Sequence, residues 1–384
     1  MTPRERVLCA LHHEEADRVP RDLGGSVVTS IALSSYRALR SQLGLPDLVP
    51  RVMETVQQIA LVDDDVLEVL ELDVVPLFAN PATLPTVIRD EADGGQAFED
   101  DFGATLRKPP GCHYFDWCEF PLREASLPAL SRLWWPDPDD PARWVGLRER
   151  ALALRAATDR AIFGMAPCGH DLFNQWFRVR GMAAALEDLL LNEEVAEAFF
   201  DRLLETILRA QTHFLDAVGD VIDIHFTADD ICGQTAPLIS PALYRRLIKP
   251  RQARIIALIK AKTQAKVFYH SCGAIAELIP DLIEMGVDIL NPVQVSAKGM
   301  NTAALKREYG ADLSFWGGGC DTQRVLPFAS PEEVRTEVRQ RLRELAPGGG
   351  FVFNPVHNIQ PGVPAENILA MFSAVGAHDY RERG

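Results

Sequence analysis

The second half of the chain repeats one unit. A short apolar run, in four of six cases stopping at Gly, Pro or Asn, is followed by a stretch with helical spacing. The runs are AIFGMAP (161–167), VIDIHF (221–226), KVFYH (266–270), VDILNP (287–292), LSFWGG (313–318) and GFVFNP (350–355). They are rich in β-branched and aromatic residues, which suit strands. Between them lie patterns such as MAAALEDLLLNEEVAEAFFDRLLETIL and SPEEVRTEVRQRLRELAPGGG. In the second of these, Ser330 is the expected N-cap, with Glu332 and Glu333 in the first turn. Six strand-then-helix units in a row imply an α/β fold with a parallel sheet and helices outside it. RVPRDL (18–23) and LDVVPLF (72–78) raise the strand count to eight, the number of a (β/α)8 TIM barrel. An open doubly wound sheet is the alternative, but no Gly-rich phosphate turn follows an early strand.

Residues 79–145 break the rhythm with the short strand-like pieces GATLRK and HYFDWCEF and the Trp/Pro/Asp-rich stretch RLWWPDPDDPARW. They are expected to form an inserted subdomain in the N-terminal half of one barrel domain spanning 1–384.

The chain has 384 residues, 47% of them hydrophobic, and a net charge of −15. That field repels nucleic acid and anionic membranes, so neither is an expected partner. No apolar run approaches the roughly 20 residues that span a bilayer. The charged N-terminus MTPRERVLCALHHEEADRVP does not have the apolar core of a signal peptide. Seven scattered cysteines argue against a disulfide framework and for reduced thiols in a cytoplasm.

Barrels of this kind do chemistry at the C-terminal ends of their strands. Those ends carry His170 and Asp171, then His225, Asp229 and Asp230, then His270 and Cys272, Asn291, Cys320, and Asn354 with His357. Residues i and i+2 of a strand share a face, so His270 and Cys272 form a half-site for zinc. Cys320 is the expected third ligand, since the barrel gathers distant strand ends at one rim. The alternative is a hydrogen-bonded core histidine and two small buried thiols. Asp229, His225 and His357 are the candidate catalytic groups. Each has a plain structural reading as well: a capping acid, a packed histidine, a loop histidine bonded to backbone. Asp230, Arg18 and Arg21 are candidates for substrate binding, the arginines through a carboxylate. Gly318, within the run of Gly317, Gly318 and Gly319, and Asn291 are candidates for cofactor binding. A glycine run lets amides approach an anion, although a tight turn explains it too.

RERVLCALHHEEADRVPRDLGG, RVRGMAAALEDLLLNEEVAEAFFDRLLE, DDICGQTAPLISPALYRRLIKPRQARII, KVFYHSCGAIAELIPDLIEMGVDILNPVQ and FVFNPVHNIQPGVPAENI together resemble segments of the uroporphyrinogen decarboxylase superfamily. The resemblance implies a (β/α)8 barrel with its site at the strand C-termini. Within the superfamily, decarboxylases act without cofactor on acidic tetrapyrroles. They use an R-x-A-G-R-type segment, which RVPRDLGG matches poorly, and an aspartate for which Asp73 is a loose counterpart. Cobamide-dependent methyltransferases carry H-x-C, as His270 and Cys272 do here, and a later zinc cysteine. Where that cysteine falls in the last segment, this chain has His357, so Cys320 or His357 completes the set. The resemblance thus points to a zinc-dependent methyltransferase. It would move a methyl group between a small methylated or methoxylated compound, or a thiol, and a corrinoid supplied by a partner protein. The alternatives are a metal-independent decarboxylase and a non-catalytic binder of a corrinoid or tetrapyrrole. The methyl substrate, the direction of transfer and the oligomeric state stay open, a homodimer being one option.

Overall fold

The computed structural model describes residues 1–80, 86–167, 171–378 and 380. Seven strands form one parallel sheet: β1 (Val74–Phe78), β2 (Ala161–Met165), β3 (Ile224–Ala228), β4 (Lys266–His270), β5 (Ile289–Asn291), β6 (Ser314–Trp316) and β7 (Phe351–Val352). They pair in chain order, β1 with β2 and so on to β7. The eighth position is held by residues 20–22. Arg21 bridges Phe353 in parallel. The Phe353 amide donates to Pro20 O at 2.8 Å, the Asp22 amide to Phe353 O at 2.8 Å, and the Asp73 amide to Arg21 O at 2.9 Å. This short segment therefore bonds to both edges of the sheet and closes the barrel. The expected strand over 18–23 shrinks to a single bridging residue.

Strand parity decides what fills the barrel. Ala161, Phe163 and Met165 point inward, as do Ile224, Phe226 and Ala228, then Phe268, Ile289, Trp316 and Val352, all in one buried cluster. Phe268 packs edge-on against Phe163, with centroids 4.8 Å apart, and lies 5.7 Å from both Phe226 and Trp316. These rings form a floor, and the next inward positions above it belong to the site. From the other end, helix α1 (Pro3–Leu11) inserts Val7 and Leu11 into the same cluster. It plugs the N-terminal mouth.

The outward positions bury themselves under helices. Helix α2 (Phe173–Arg180) follows β2, and α3 (Glu193–Val218) lays Phe199, Phe200, Leu203, Ile207 and Phe214 against the barrel at helical spacing. Helix α4 (Lys249–Lys262) packs on α3. Helix α5 (Pro331–Leu345) starts with a capping box in which Ser330 and Glu333 satisfy each other's amides.

Between β1 and β2 the chain forms a four-stranded antiparallel sheet, Arg89–Asp90, Gln96–Glu99, Thr105–Lys108 and Asp116–Glu119. Phe98, Leu106 and Phe115 make its small core. Among the described residues, no helix is long and apolar enough to cross a membrane.

Candidate metal centre at the strand C-termini

His270 ends β4 and has the parity of Phe268, so its ring turns inward above the aromatic floor. Its register partner on β5 is Asn291, which shares the parity of Ile289. His270 Nδ1 lies 2.5 Å from Asn291 Oδ1, and Asn291 Nδ2 donates to Trp316 O at 2.8 Å. The other ring nitrogen, Nε2, lies 3.6 Å from Cys272 Sγ. Cys272 is held through its backbone, whose amide donates to Asp230 Oδ1 at 2.6 Å. The next amide, of Gly273, donates to Gln294 Oε1 at 2.7 Å.

His357 completes the group from the loop after β7. Its ring centroid is 5.5 Å from that of His270. One donor atom from each of His270, Cys272 and His357 falls within 4.8 Å of the others.

The donor set fits a zinc ion. With bonds of about 2.0–2.1 Å to nitrogen and about 2.3 Å to sulfur, a tetrahedral ion holds an N and an S roughly 3.6 Å apart, which is the separation found. Burial and the nearby His270 push the His357 imidazole down to about 4, so it is a neutral lone-pair donor at neutral pH. Burial and the Asp230 carboxylate push the Cys272 thiol well above its usual range. A cation beside that sulfur would reverse this preference.

Several expected site residues lie elsewhere. Cys320 is fully buried and its thiol faces the helix layer, donating to Glu337 Oε2 on α5 at 3.6 Å. It does not join the group; His357 occupies the third place. His225 has the opposite parity to Phe226, so its Nε2 meets Gln211 Oε1 on α3 at 2.6 Å, behind the sheet. It does not face the mouth as a catalytic group would. Asp229, also out of phase, caps α2. It accepts the amides of Leu172, Phe173 and Asn174 at 2.9–3.1 Å and Gln252 Nε2 at 2.9 Å. Burial and Asp171 raise its acid to about 7 while those amides oppose the rise. Its oxygens are taken up by the fold.

Arg18 and Arg21 are not near the rim. Both guanidinium groups lie at the N-terminal end of the barrel. Arg18 grips Asp73 at 2.8 and 3.0 Å, and Arg21 pairs with Glu71 at 2.9 Å. Asn291 touches His270 rather than an outside cofactor. Gly318 sits at φ 84°, where a Cβ would come within 2.7 Å of the Val293 side chain. Close packing of two loops accounts for it without an anion. His170 lies outside the described residues.

Asp230, the candidate for substrate binding, lies beside His270. Its Oδ1 lies 3.7 Å from His270 Nε2, and its half-exposed side chain also lines a cleft of about 380 Å³. Trp117 and Phe120 from the antiparallel sheet and the segment after it, and Phe177, Arg178 and Met182 from the β2–β3 connection, form its other walls. The Arg178 guanidinium stacks 5.1 Å from the Trp117 ring and pairs with Asp171 at 2.9 Å. Gly181, at φ 82°, lets Phe120 approach to a distance that a side chain there would block. Nothing in the sequence marks these wall residues. HYFDWCEF was visible as a strand, but nothing in it tells which distant helix it will face.

A closed parallel barrel with imidazole and thiol donors at the C-terminal rim defines an α/β-barrel protein with a candidate metal centre. The family model for uroporphyrinogen decarboxylase (URO-D) matches residues 161–378, and the chain belongs to that family of enzymes. It is 25% identical to the uroporphyrinogen decarboxylase of Alkalilimnicola ehrlichii, covering 97% of this chain and 93% of that one. It is 23% identical to that of Thioalkalivibrio sulfidiphilus, covering 97% of each. Among solved structures, a methyltransferase from Methanosarcina mazei shares the fold, with TM-score 0.63 and 17% identity over 98% of both chains.

Proposed function

We propose that the protein is a zinc-dependent methyltransferase. It would move a methyl group between a small methylated or methoxylated compound, or a thiol, and a corrinoid carried by a partner protein. The observation that carries this reading is the convergence of His270, Cys272 and His357 on one point above the barrel floor. Three protein ligands leave a coordination place for a substrate atom. A bound zinc ion supplies Lewis acidity to an ether oxygen, or lowers the pKa of a thiol so that it reacts as thiolate.

The chain's own residues do the rest. His270 and His357 donate nitrogen lone pairs and Cys272 a sulfur. Asp230 stands between this group and the cleft, where it can accept a hydrogen bond from the substrate. Trp117, Phe120 and Phe177 offer apolar walls to a small organic body. The corrinoid would be brought to the rim by a separate protein.

The metal-independent decarboxylase reading needs cationic side chains free to bind a polycarboxylate. Arg18 and Arg21 do not meet that need, because Asp73 and Glu71 hold them at the opposite end of the barrel.

Elemental analysis after zinc loading tests the proposal. About one zinc per chain is expected in the wild type and in Cys320→Ala, with loss in His270→Ala, Cys272→Ala and His357→Ala. A zinc content unchanged by all three substitutions, or no zinc in the wild type, would sink it.

A further inference from the structure

We infer that Asn291 is the positioning residue that sets the tautomer of His270 and so presents its Nε2 lone pair to Cys272 and His357. Atoms with no choice of role fix the arrangement. Trp316 O is a main-chain carbonyl and can only accept, so the group 2.8 Å from it must be the Asn291 amide nitrogen. That fixes the amide plane and turns Oδ1 toward His270, 2.5 Å from Nδ1. A carbonyl oxygen again only accepts, so Nδ1 must carry the hydrogen. In a neutral imidazole the lone pair then resides on Nε2, the atom 3.6 Å from Cys272 Sγ.

The lock is built across three adjacent strands. His270 and Asn291 are register partners on β4 and β5, and Trp316 closes β6. Asn291 is fully buried, so water does not compete for its amide. Gly317 contributes by its small size: at φ 86°, a Cβ there would sit 3.1 Å from Asn291 Nδ2. An amide in this role differs from the carboxylate that often backs a metal-bound histidine. It orients the ring without adding negative charge, so the one anionic donor of the group would be the Cys272 sulfur.

The consequence for metal binding rests on the zinc reading proposed above; the tautomer does not. The test therefore has two arms. In zinc-free protein labelled with ¹⁵N-histidine, the His270 signals are identified by their loss in His270→Gln. In the neutral ring, a protonated Nδ1 and an unprotonated Nε2 are expected. A wild-type ring protonated at Nε2 overturns the inference, whether or not zinc binds. In Asn291→Leu, checked for folding by circular dichroism, a mixture of tautomers is expected. Zinc affinity measured against a competing chelator should fall about 10–100-fold. A folded Asn291→Leu with the wild-type tautomer and affinity also overturns it. Failure of the wild type to bind zinc would count against the proposed function alone.

Discussion

Asp22 is an acid kept out of water. It is fully buried, with Trp316 Nε1 donating to Oδ2 at 2.9 Å and the Gly25 amide to Oδ1 at 2.8 Å. Burial outweighs these donors and raises its pKa to about 6. The folded chain therefore holds this proton more tightly than the unfolded one, whose aspartates titrate near 4. Stability from this group is full below that value and is lost as pH rises through about 6. Between pH 5 and pH 8 the loss is on the order of 1 kcal/mol. Urea unfolding at both pH values should show Asp22→Asn losing less stability than the wild type over that interval. An equal loss would refute the assignment. At this scale, strand phase decides which way a residue near a strand end points. Once Phe226 is known to face inward, Asp230 falls on the mouth side and His225 and Asp229 on the helix side. The sequence shows that all three lie near a strand end. It does not show the parity, because VIDIHFTADD is apolar enough on both faces to read either way.

At the scale of elements, the barrel's shortest strand is its closing one. Residues 20–22 bond through main-chain groups to β7 and β1, and Asp73 secures them from below. Its buried carboxylate takes Arg6 Nη1 at 2.6 Å, Arg18 at 2.8 and 3.0 Å, and the Arg21 amide at 2.8 Å. Removing one partner of a buried ionic cluster strands the others, typically at about 3–5 kcal/mol. Asp73→Ala should lower the unfolding free energy by that order while leaving zinc binding per folded chain intact. A variant of wild-type stability would show that closure does not depend on this acid. The strands from β2 to β7 are legible because each is a short apolar run followed by a stretch with helical spacing, and four of the runs stop at Gly, Pro or Asn. The closing segment was harder to read. Pro20 has no amide to donate, and the chain turns at once, with Gly24 N bonded to Thr29 O, so only one residue pairs. The four-stranded antiparallel sheet lies where the sequence breaks rhythm, but its pairing rests on turns and long-range contacts that local pattern does not encode.

For the molecule as a whole, the candidate centre joins the end of β4 to the last loop of the chain through His270, Cys272 and His357. An ion that binds the folded form only adds stability by mass action, about 2.7 kcal/mol at one hundred times its Kd. Zinc should therefore raise the melting temperature of the wild type by several degrees and leave Cys272→Ala unmoved. Equal shifts in both proteins would mean that the ion binds elsewhere. Helix α1 adds a constraint of another kind. Because Val7 and Leu11 stopper the far end, the centre opens toward the C-terminal neck of the barrel. Under the proposed function, a bulky carrier seated on that neck would trap whatever small compound is already inside. Loading would then follow an order, compound first and carrier second, and the small product would depart only after the carrier lifts away.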